Sequence, residues 1–294
     1  MPARVRLLAV PNVSVGSDPA VIAAVGAAFA PARVLDVHSD VDHGRSAFTL
    51  TGEQGFLADA LLAGAREAVA RIDLRAHGGL HPHVGAIDVA PVVYADQGDR
   101  GAACAEALTL AALLGEELEL PVFLYGALAT DDAHRERAAL RSGGPAGLAR
   151  RIAAGELRPD HGPPRPHLTA GAVLVTARPP LVAVNFDLES DDLALAREIA
   201  AGLRESGGGP PGVRAIGLRL PARGRAQVSV NIHDPAAVPV VVLLERIRSR
   251  TPVAEIELVG LAPRAALAGL PPDVPMRGFS PDRHLIESAL DDRR

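Results

Sequence analysis

A short loop in the first third of the chain concentrates side chains that can move protons. Three of the ten histidines, His77, His81 and His83, fall within residues 76–85, where glycines and one proline separate them. Imidazole has an unperturbed pKa of about 6.5, so it can accept and return a proton near neutral pH. The loop is therefore a candidate for general acid/base catalysis, although an ordinary polar loop could have the same composition.

A second polar cluster lies upstream, at residues 38–45, between two segments that we predict to be adjacent strands. It contains His38, Asp40, His43 and Arg45. The guanidinium of Arg45 can bind a carboxylate through two parallel N–H···O bonds. Together the two clusters favour a histidine acid/base that works with arginine on an anionic substrate. Taken alone, this cluster is also compatible with a solvated loop.

Other chemistries fit the sequence less well. Asp40, Asp42 and His43 are possible metal ligands, but no HExxH-like spacing places two ligands on one helical face. No Gly-x-Ser-x-Gly segment indicates a nucleophilic serine. All 30 basic residues are arginine, which excludes a Schiff-base lysine, and the single cysteine excludes an internal disulfide. We therefore predict no metal site.

A third segment, residues 159–171, is too rich in proline and glycine for a helix or a central strand. One interpretation is a linker that leads into a second domain. The other is a stiff wall of a ligand-binding cleft, in which Arg165 and His167 are available to anions.

Hydrophobic periodicity predicts the scaffold that positions these loops. Residues 5–94 have the order strand, helix, strand, strand, helix, strand, and a helix and a strand follow. Residues 181–259 repeat the six-element order, which is that of the ferredoxin-like fold. We predict an α+β protein of two ferredoxin-like α/β sandwich subdomains, residues 1–177 and 178–294. Their sheets should be mostly antiparallel or mixed and should face each other across a cleft.

Three local patterns give more detailed predictions. Thr51 and Gln54 have capping-box spacing before the second helix. Pro91 indicates an edge position or a bulge in its strand, because proline cannot donate to a sheet. Residues 225–232 alternate, and the polar side chains on the face of Gln227 point either to solvent or into the predicted cleft.

Composition excludes several classes of protein. The 294 residues are 48% hydrophobic and 22% charged, with a net charge of −5, which is typical of a globular chain and unfavourable for nucleic-acid binding. The longest uncharged run, residues 19–32, is too short to span a bilayer, and the N-terminus is a poor signal peptide. We expect a cytoplasmic protein without nucleic-acid or membrane partners.

Several separated motifs resemble those of the glutamate formimidoyltransferases, the formiminotransferase domain of formiminotransferase-cyclodeaminase. Val-Pro-Asn-Val-Ser-Val-Gly at residues 10–16 is similar to the family's Val-Pro-Asn-Phe-Ser-Glu-Gly. His-Pro-His-Val-Gly-Ala-Ile-Asp-Val at residues 81–89 is similar to its His-Pro-Arg-Met-Gly-Ala-Leu-Asp-Val. Further matches follow in the same order at residues 121–126, 159–163, 184–188, 213–217 and 226–229. The resemblance covers about residues 5–290.

The resemblance implies a transferase that moves a formimino group from N-formimidoyl-L-glutamate to tetrahydrofolate, its co-substrate. His81 matches the family's catalytic histidine and would act as general acid/base. Asn12, His38, Asp40 and Arg45 are predicted to bind the anionic substrates. The family's folate-binding segment matches Gly162, Pro163, Pro164, Arg165, Pro166, His167, Leu168, Thr169, Ala170 and Gly171. The family also implies a homodimer.

The chain departs from the family pattern at several of these positions. Leu80 replaces a glutamate, His83 an arginine, Gly44 an asparagine and Ala170 a tryptophan. Losing one charge-assisted bond of about 1.5–3 kcal/mol lowers affinity roughly ten- to a hundredfold. The alternative prediction is therefore a diverged folate-binding homologue that lacks this transferase activity or uses another acyl or formyl donor.

Overall fold

Two separate β-sheets organise the chain, one in each of two units divided between Pro179 and Pro180. The structure, a computed structural model, describes residues 5–291. The prediction of an α+β fold with two sheets is confirmed. Within the described range, no helix is both long and apolar enough to cross a membrane.

The first half of the first unit has the predicted order of elements. They are β1 (Arg6–Ala9), β2 (Asn12–Val13), α1 (Pro19–Ala28), β3 (Arg33–Asp40), β4 (Arg45–Glu53), α2 (Leu57–Arg71) and β5 (Ile87–Val93). The short strands β1 and β2 are two parts of one interrupted strand, since both pair with β4 and with β5. The histidine loop therefore connects α2 to β5.

The second half of this unit extends the sheet. Its elements are α3 (Arg100–Glu117), β6 (Val122–Leu124), α4 (Asp132–Arg135), α5 (Arg137–Leu140), α6 (Gly144–Ala153) and β7 (Val173–Arg178). The sheet runs β3-β4-β1/β2-β5-β7-β6, antiparallel as far as β5 and parallel from β5 to β6. Helices α2 and α3 pack in the main core with buried side chains such as Leu61 and Leu110. A smaller core includes Phe123, Leu140 and Leu148.

The structure corrects two local predictions. Pro91 lies inside the sheet, so the prediction of an edge position is wrong. Its carbonyl oxygen accepts a hydrogen bond from the N–H of Val10 (3.1 Å), the residue that directly follows β1. The nitrogen of Pro91, which has no hydrogen to donate, therefore faces the break between β1 and β2. Helix α2 has no local capping box. Its first turn is instead capped by the buried Glu106 of α3, whose carboxylate accepts from the N–H of Gly55 and from that of Ala58 (2.8 Å).

The second unit repeats the ferredoxin-like order. Its elements are β8 (Val182–Leu188), α7 (Leu193–Leu203), β9 (Val213–Leu220), β10 (Arg225–Ile232), α8 (Val240–Arg248), β11 (Val253–Val259), α9 (Pro281–His284) and α10 (Ile286–Asp291). All neighbours in its four-stranded sheet, β11-β8-β10-β9, are antiparallel. The alternation of β10 is confirmed, but Gln227 is fully buried and its Nε2 donates to Asp187 Oδ1 (2.7 Å), so a solvent-facing Gln227 is wrong.

Candidate active site

The first unit brings the two predicted polar clusters together in one small pocket. The backbone does this: Leu80 N–H donates to Asp42 O (3.0 Å), and His81 N–H donates to His43 O (3.4 Å). The histidine loop is thereby attached to the turn between β3 and β4. The pocket is lined by Asn12, Val13, Ser14, His43, Gly44, Arg45, His77, His81, His83 and Asp88.

Asn12, Arg45 and His81 form a connected chain of side chains inside this pocket. Asn12 Oδ1 accepts from Arg45 Nε (2.9 Å) and from its Nη2. Arg45 Nη1 lies 2.6 Å from Nε2 and 2.8 Å from Nδ1 of His81. His81 Nδ1 also lies 2.8 Å from the carbonyl oxygen of Pro82, and because a carbonyl can only accept, this contact favours the tautomer with the proton on Nδ1 and a lone pair on Nε2.

The surroundings keep His81 unprotonated. Burial lowers its pKa well below 6.5, and the positive charges of Arg45 and Arg141 lower it further. Burial also lowers the pKa of Arg45, to about 9, so this guanidinium is still charged at neutral pH. The pocket therefore combines a neutral imidazole with a fixed cation, an arrangement that can accept a proton and bind an anion.

The other histidines and glycines shape the pocket. The ring of His77 meets that of His83 edge-on with centroids 4.1 Å apart, and the rings of His43 and His81 stack at 5.8 Å. Gly44 has φ of +63°, and a Cβ there would lie 2.5 Å from the Cα of Gly79. A side chain at this position would displace the histidine loop, so the close approach favours glycine.

Asp88 and Arg141 also belong to the site, although neither was predicted from the sequence as a site residue. Asp88 is the extra residue of a β-bulge, since Asn12 pairs with Val89 and Val13 with Ile87. Its Oδ1 accepts from Val84 N–H (2.9 Å), and its Oδ2 accepts from Arg141 Nη2. The pair therefore fixes the end of the histidine loop. An aspartate in a buried strand was the available signal, but its partner is 53 residues away.

The predicted folate segment lies next to the histidine loop along the backbone. Leu74 N–H donates to Thr169 O (2.8 Å), and Ala86 N–H donates to Ala170 O (2.9 Å), so the segment contacts both ends of the loop. His167 and Gly171 exchange backbone hydrogen bonds of 2.8 and 2.9 Å that close a tight turn. A Cβ at Gly171, where φ is +68°, would lie 2.1 Å from Val84 O, so the close approach requires glycine.

The predicted site residues fall into two groups. Asn12, Arg45 and His81 line the pocket, whereas His38, Asp40 and residues 162–171 are not among its lining residues in the described part of the chain. Asp40 is buried, and its Oδ1 accepts from His43 N–H (2.8 Å), so it caps the turn between β3 and β4. Within the folate segment, Arg165 and Leu168 are exposed, the latter at 79%.

Comparison with known proteins matches both units. Residues 6–178 match the formiminotransferase domain, N-terminal subdomain, and residues 183–270 match the formiminotransferase domain. A glutamate formimidoyltransferase of Streptococcus pyogenes serotype M1 is 35% identical over 266 residues, 88% of this chain and 89% of the relative. One of Thermoplasma acidophilum is 32% identical over 268 residues, 88% of each chain. A formimidoyltransferase-cyclodeaminase of Gallus gallus is 34% identical over 88% of this chain but only 50% of its own length.

The two-unit α/β fold with its histidine–arginine pocket is thus that of a transferase enzyme, and the chain belongs to the formiminotransferase family. Among the relatives named above, those matched along most of their own length are the glutamate formimidoyltransferases.

Proposed function

We propose that this protein transfers the formimino group of N-formimidoyl-L-glutamate to N5 of tetrahydrofolate and releases L-glutamate. The observation that carries the proposal is the contact of His81 Nε2 with Arg45 Nη1 (2.6 Å) in the pocket of a chain of this family. The names of its relatives support formimidoyl transfer. A cytoplasmic location, a homodimer and the division at residue 177 stay predictions.

The residues present fit a folate as acceptor. The segment 162–171 exposes Leu168 for contact with an aromatic ring and Arg165 for a carboxylate of the folate tail. Its hydrogen bonds to both ends of the histidine loop would bring the reacting end of the folate towards His81. The loss of the family's tryptophan at Ala170, which is buried, removes one stacking surface from this segment.

In the proposed reaction His81 moves one proton between two nitrogens. N5 of tetrahydrofolate attacks the formimino carbon, and His81 Nε2 accepts the N5 proton as the new C–N bond forms. The resulting imidazolium then donates this proton to the glutamate nitrogen as the old C–N bond breaks. The products are 5-formiminotetrahydrofolate and L-glutamate, with no net proton change at the enzyme.

Arg45 controls when His81 can act as a base. Its Nη1 lies 2.6 Å from the Nε2 atom that must accept the N5 proton. A carboxylate of the bound substrate would attract this guanidinium and offset its charge. Substrate binding would thereby free Nε2 and raise the pKa of His81, so the base becomes available only when substrate is present.

A transfer assay combined with a binding assay tests the proposal. We expect the protein to convert N-formimidoyl-L-glutamate and tetrahydrofolate to 5-formiminotetrahydrofolate, detected by its absorbance, and to bind folinic acid in a calorimeter. Binding of folinic acid without transfer would contradict the proposed activity and favour the alternative, a folate-binding homologue. Absence of both would remove folate from the function.

Arg45→Met should shift the acid limb of the pH profile. In the wild-type protein the charge of Arg45 disfavours protonation of His81, which stays neutral until the pH falls well below 6.5. Removing that charge raises the pKa of His81, so the acid limb of kcat/KM should move to higher pH, together with an increase in KM. NMR titration of the His81 ring would measure the same shift. An unchanged titration would show that Arg45 does not act on His81.

A further inference from the structure

Three buried polar atoms of the first unit are among those without a hydrogen-bond partner in the described part of the chain. They are the hydroxyl of Tyr125, Nε of Arg141 and Nε of Arg178, although Nη2 of Arg141 donates to Asp88 and Nη1 of Arg178 to the carbonyl oxygen of Pro179 (2.9 Å). Tyr125 and Arg141 are each only 7% exposed. Leaving a buried donor unpaired is energetically costly, so unpaired groups in a native fold require an explanation. A bound ligand would supply the missing partners.

Two of the three side chains come from neighbouring strand ends, and Arg141 directly follows helix α5. Tyr125 directly follows β6, and Arg178 ends the neighbouring strand β7. The two strand ends are joined, because Tyr125 N–H donates to Val175 O (3.0 Å) and Thr176 Oγ1 donates to Tyr125 O (2.6 Å). Alternate residues of β7 share a face, so Arg178 lies on the side of Leu174, which packs in the same cluster as Tyr125.

Positive charge is in excess around these groups. The charges of Tyr125 and Arg137 act on Arg141, which is buried, and on Arg45 and Arg178, which are half-buried. Burial lowers the pKa of Arg178 to about 10 and that of Arg45 to about 9. The carboxylate that acts on Arg45 and Arg141 is Asp88, which is already bonded to Arg141. Clustered buried cations are stabilised when an anion binds between them.

We propose that Tyr125, Arg141 and Arg178 form a second anion subsite, which takes a glutamyl carboxylate other than the one bound by Arg45. The inference rests on the proposed function and deepens it. N-formimidoyl-L-glutamate carries two carboxylates, and so does the glutamate tail of a folate. Arg141 links the subsite to the His81 pocket. Its positive charge lowers the pKa of both His81 and Arg45, and its guanidinium is bonded to Asp88 in the pocket wall.

Calorimetry with paired ligands tests the subsite without requiring turnover. N-acetyl-L-glutamate is compared with N-acetyl-2-aminobutyrate, which lacks the side-chain carboxylate, and folinic acid with its pteroate analogue, which lacks the glutamate. We expect Arg178→Met to weaken a glutamyl ligand about 10- to 100-fold and Tyr125→Phe to weaken it several-fold. The truncated ligands should bind the variants and the wild type equally. The exposed Arg66→Met provides a matched control that should change none of these affinities.

Each outcome of this test has a defined meaning. Weaker binding of only the donor analogue or only folinic acid supports the subsite and identifies which substrate supplies the carboxylate. Equal binding of both glutamyl ligands by folded variants overturns the inference, even if transfer activity is present. Carboxylate-dependent binding in a protein without transfer activity would support the subsite and contradict only the proposed reaction. If Arg178→Met does not fold, Tyr125→Phe, which changes one atom, provides the result.

Discussion

Replacing His81 with alanine should lower kcat/KM for formimino transfer by roughly 10²- to 10⁴-fold, the usual contribution of a positioned general acid/base. The reason is that the His81 ring would supply the base of the reaction, and contacts with Arg45 and with the Pro82 carbonyl set its position. Because His81 is half-buried in a loop, the variant should remain folded. Steady-state kinetics at neutral pH, with a melting curve for each variant, measure the effect.

Two further measurements separate proton transfer from general damage to the pocket. Added imidazole should restore part of the activity of His81→Ala, because it supplies the missing base. His233→Gln, an exposed histidine in the second unit, provides a matched control and should keep wild-type activity. Wild-type rates in His81→Ala would remove this residue from the mechanism and leave the proposed chemistry without its base.

Asp88→Asn should cause the largest loss of stability, about 3–5 kcal/mol of unfolding free energy, as is typical when one partner of a buried ion pair is removed. The side chains of Asp88 and Arg141 are 4% and 6% exposed, so water cannot solvate the Arg141 guanidinium once the carboxylate charge is lost. The amide can still accept from Val84 N–H, and the effect therefore reports on Arg141 alone. Urea denaturation followed by circular dichroism gives the change.

The matched comparison is an ion pair at the surface. Arg66 and Glu117 are 56% and 44% exposed, so Glu117→Gln should cost about 0–1 kcal/mol. The double variant Asp88→Asn/Arg141→Met should be more stable than Asp88→Asn, because it no longer buries an unpaired cation. If Asp88→Asn lowers the free energy of unfolding no more than Glu117→Gln does, the buried ion pair does not stabilise the folded protein.

The elements of the fold could be predicted because their signals are local. Hydrophobic alternation is confirmed in β10, where the even-numbered residues 226–232 are buried in the core. The repeated strand and helix order also led to the correct fold class, since short connections leave few topologies for that order. The helical cap by Glu106 could not be predicted, because its acceptor comes from α3 and lies 48 residues beyond Ala58.

The sequence by itself determined the class of fold, the family resemblance and the two clusters that hold His81 and Arg45, since each depends on neighbouring residues. Only the tertiary structure decided which side chains meet. It joins Arg45 to Asn12 and His81, 33 and 36 residues away, gives Asp40 a role in a turn, and pairs Asp88 with Arg141. The physical reason is that sheet register and the bulge at Asp88 set these contacts, and both result from packing across the whole unit rather than from local propensity.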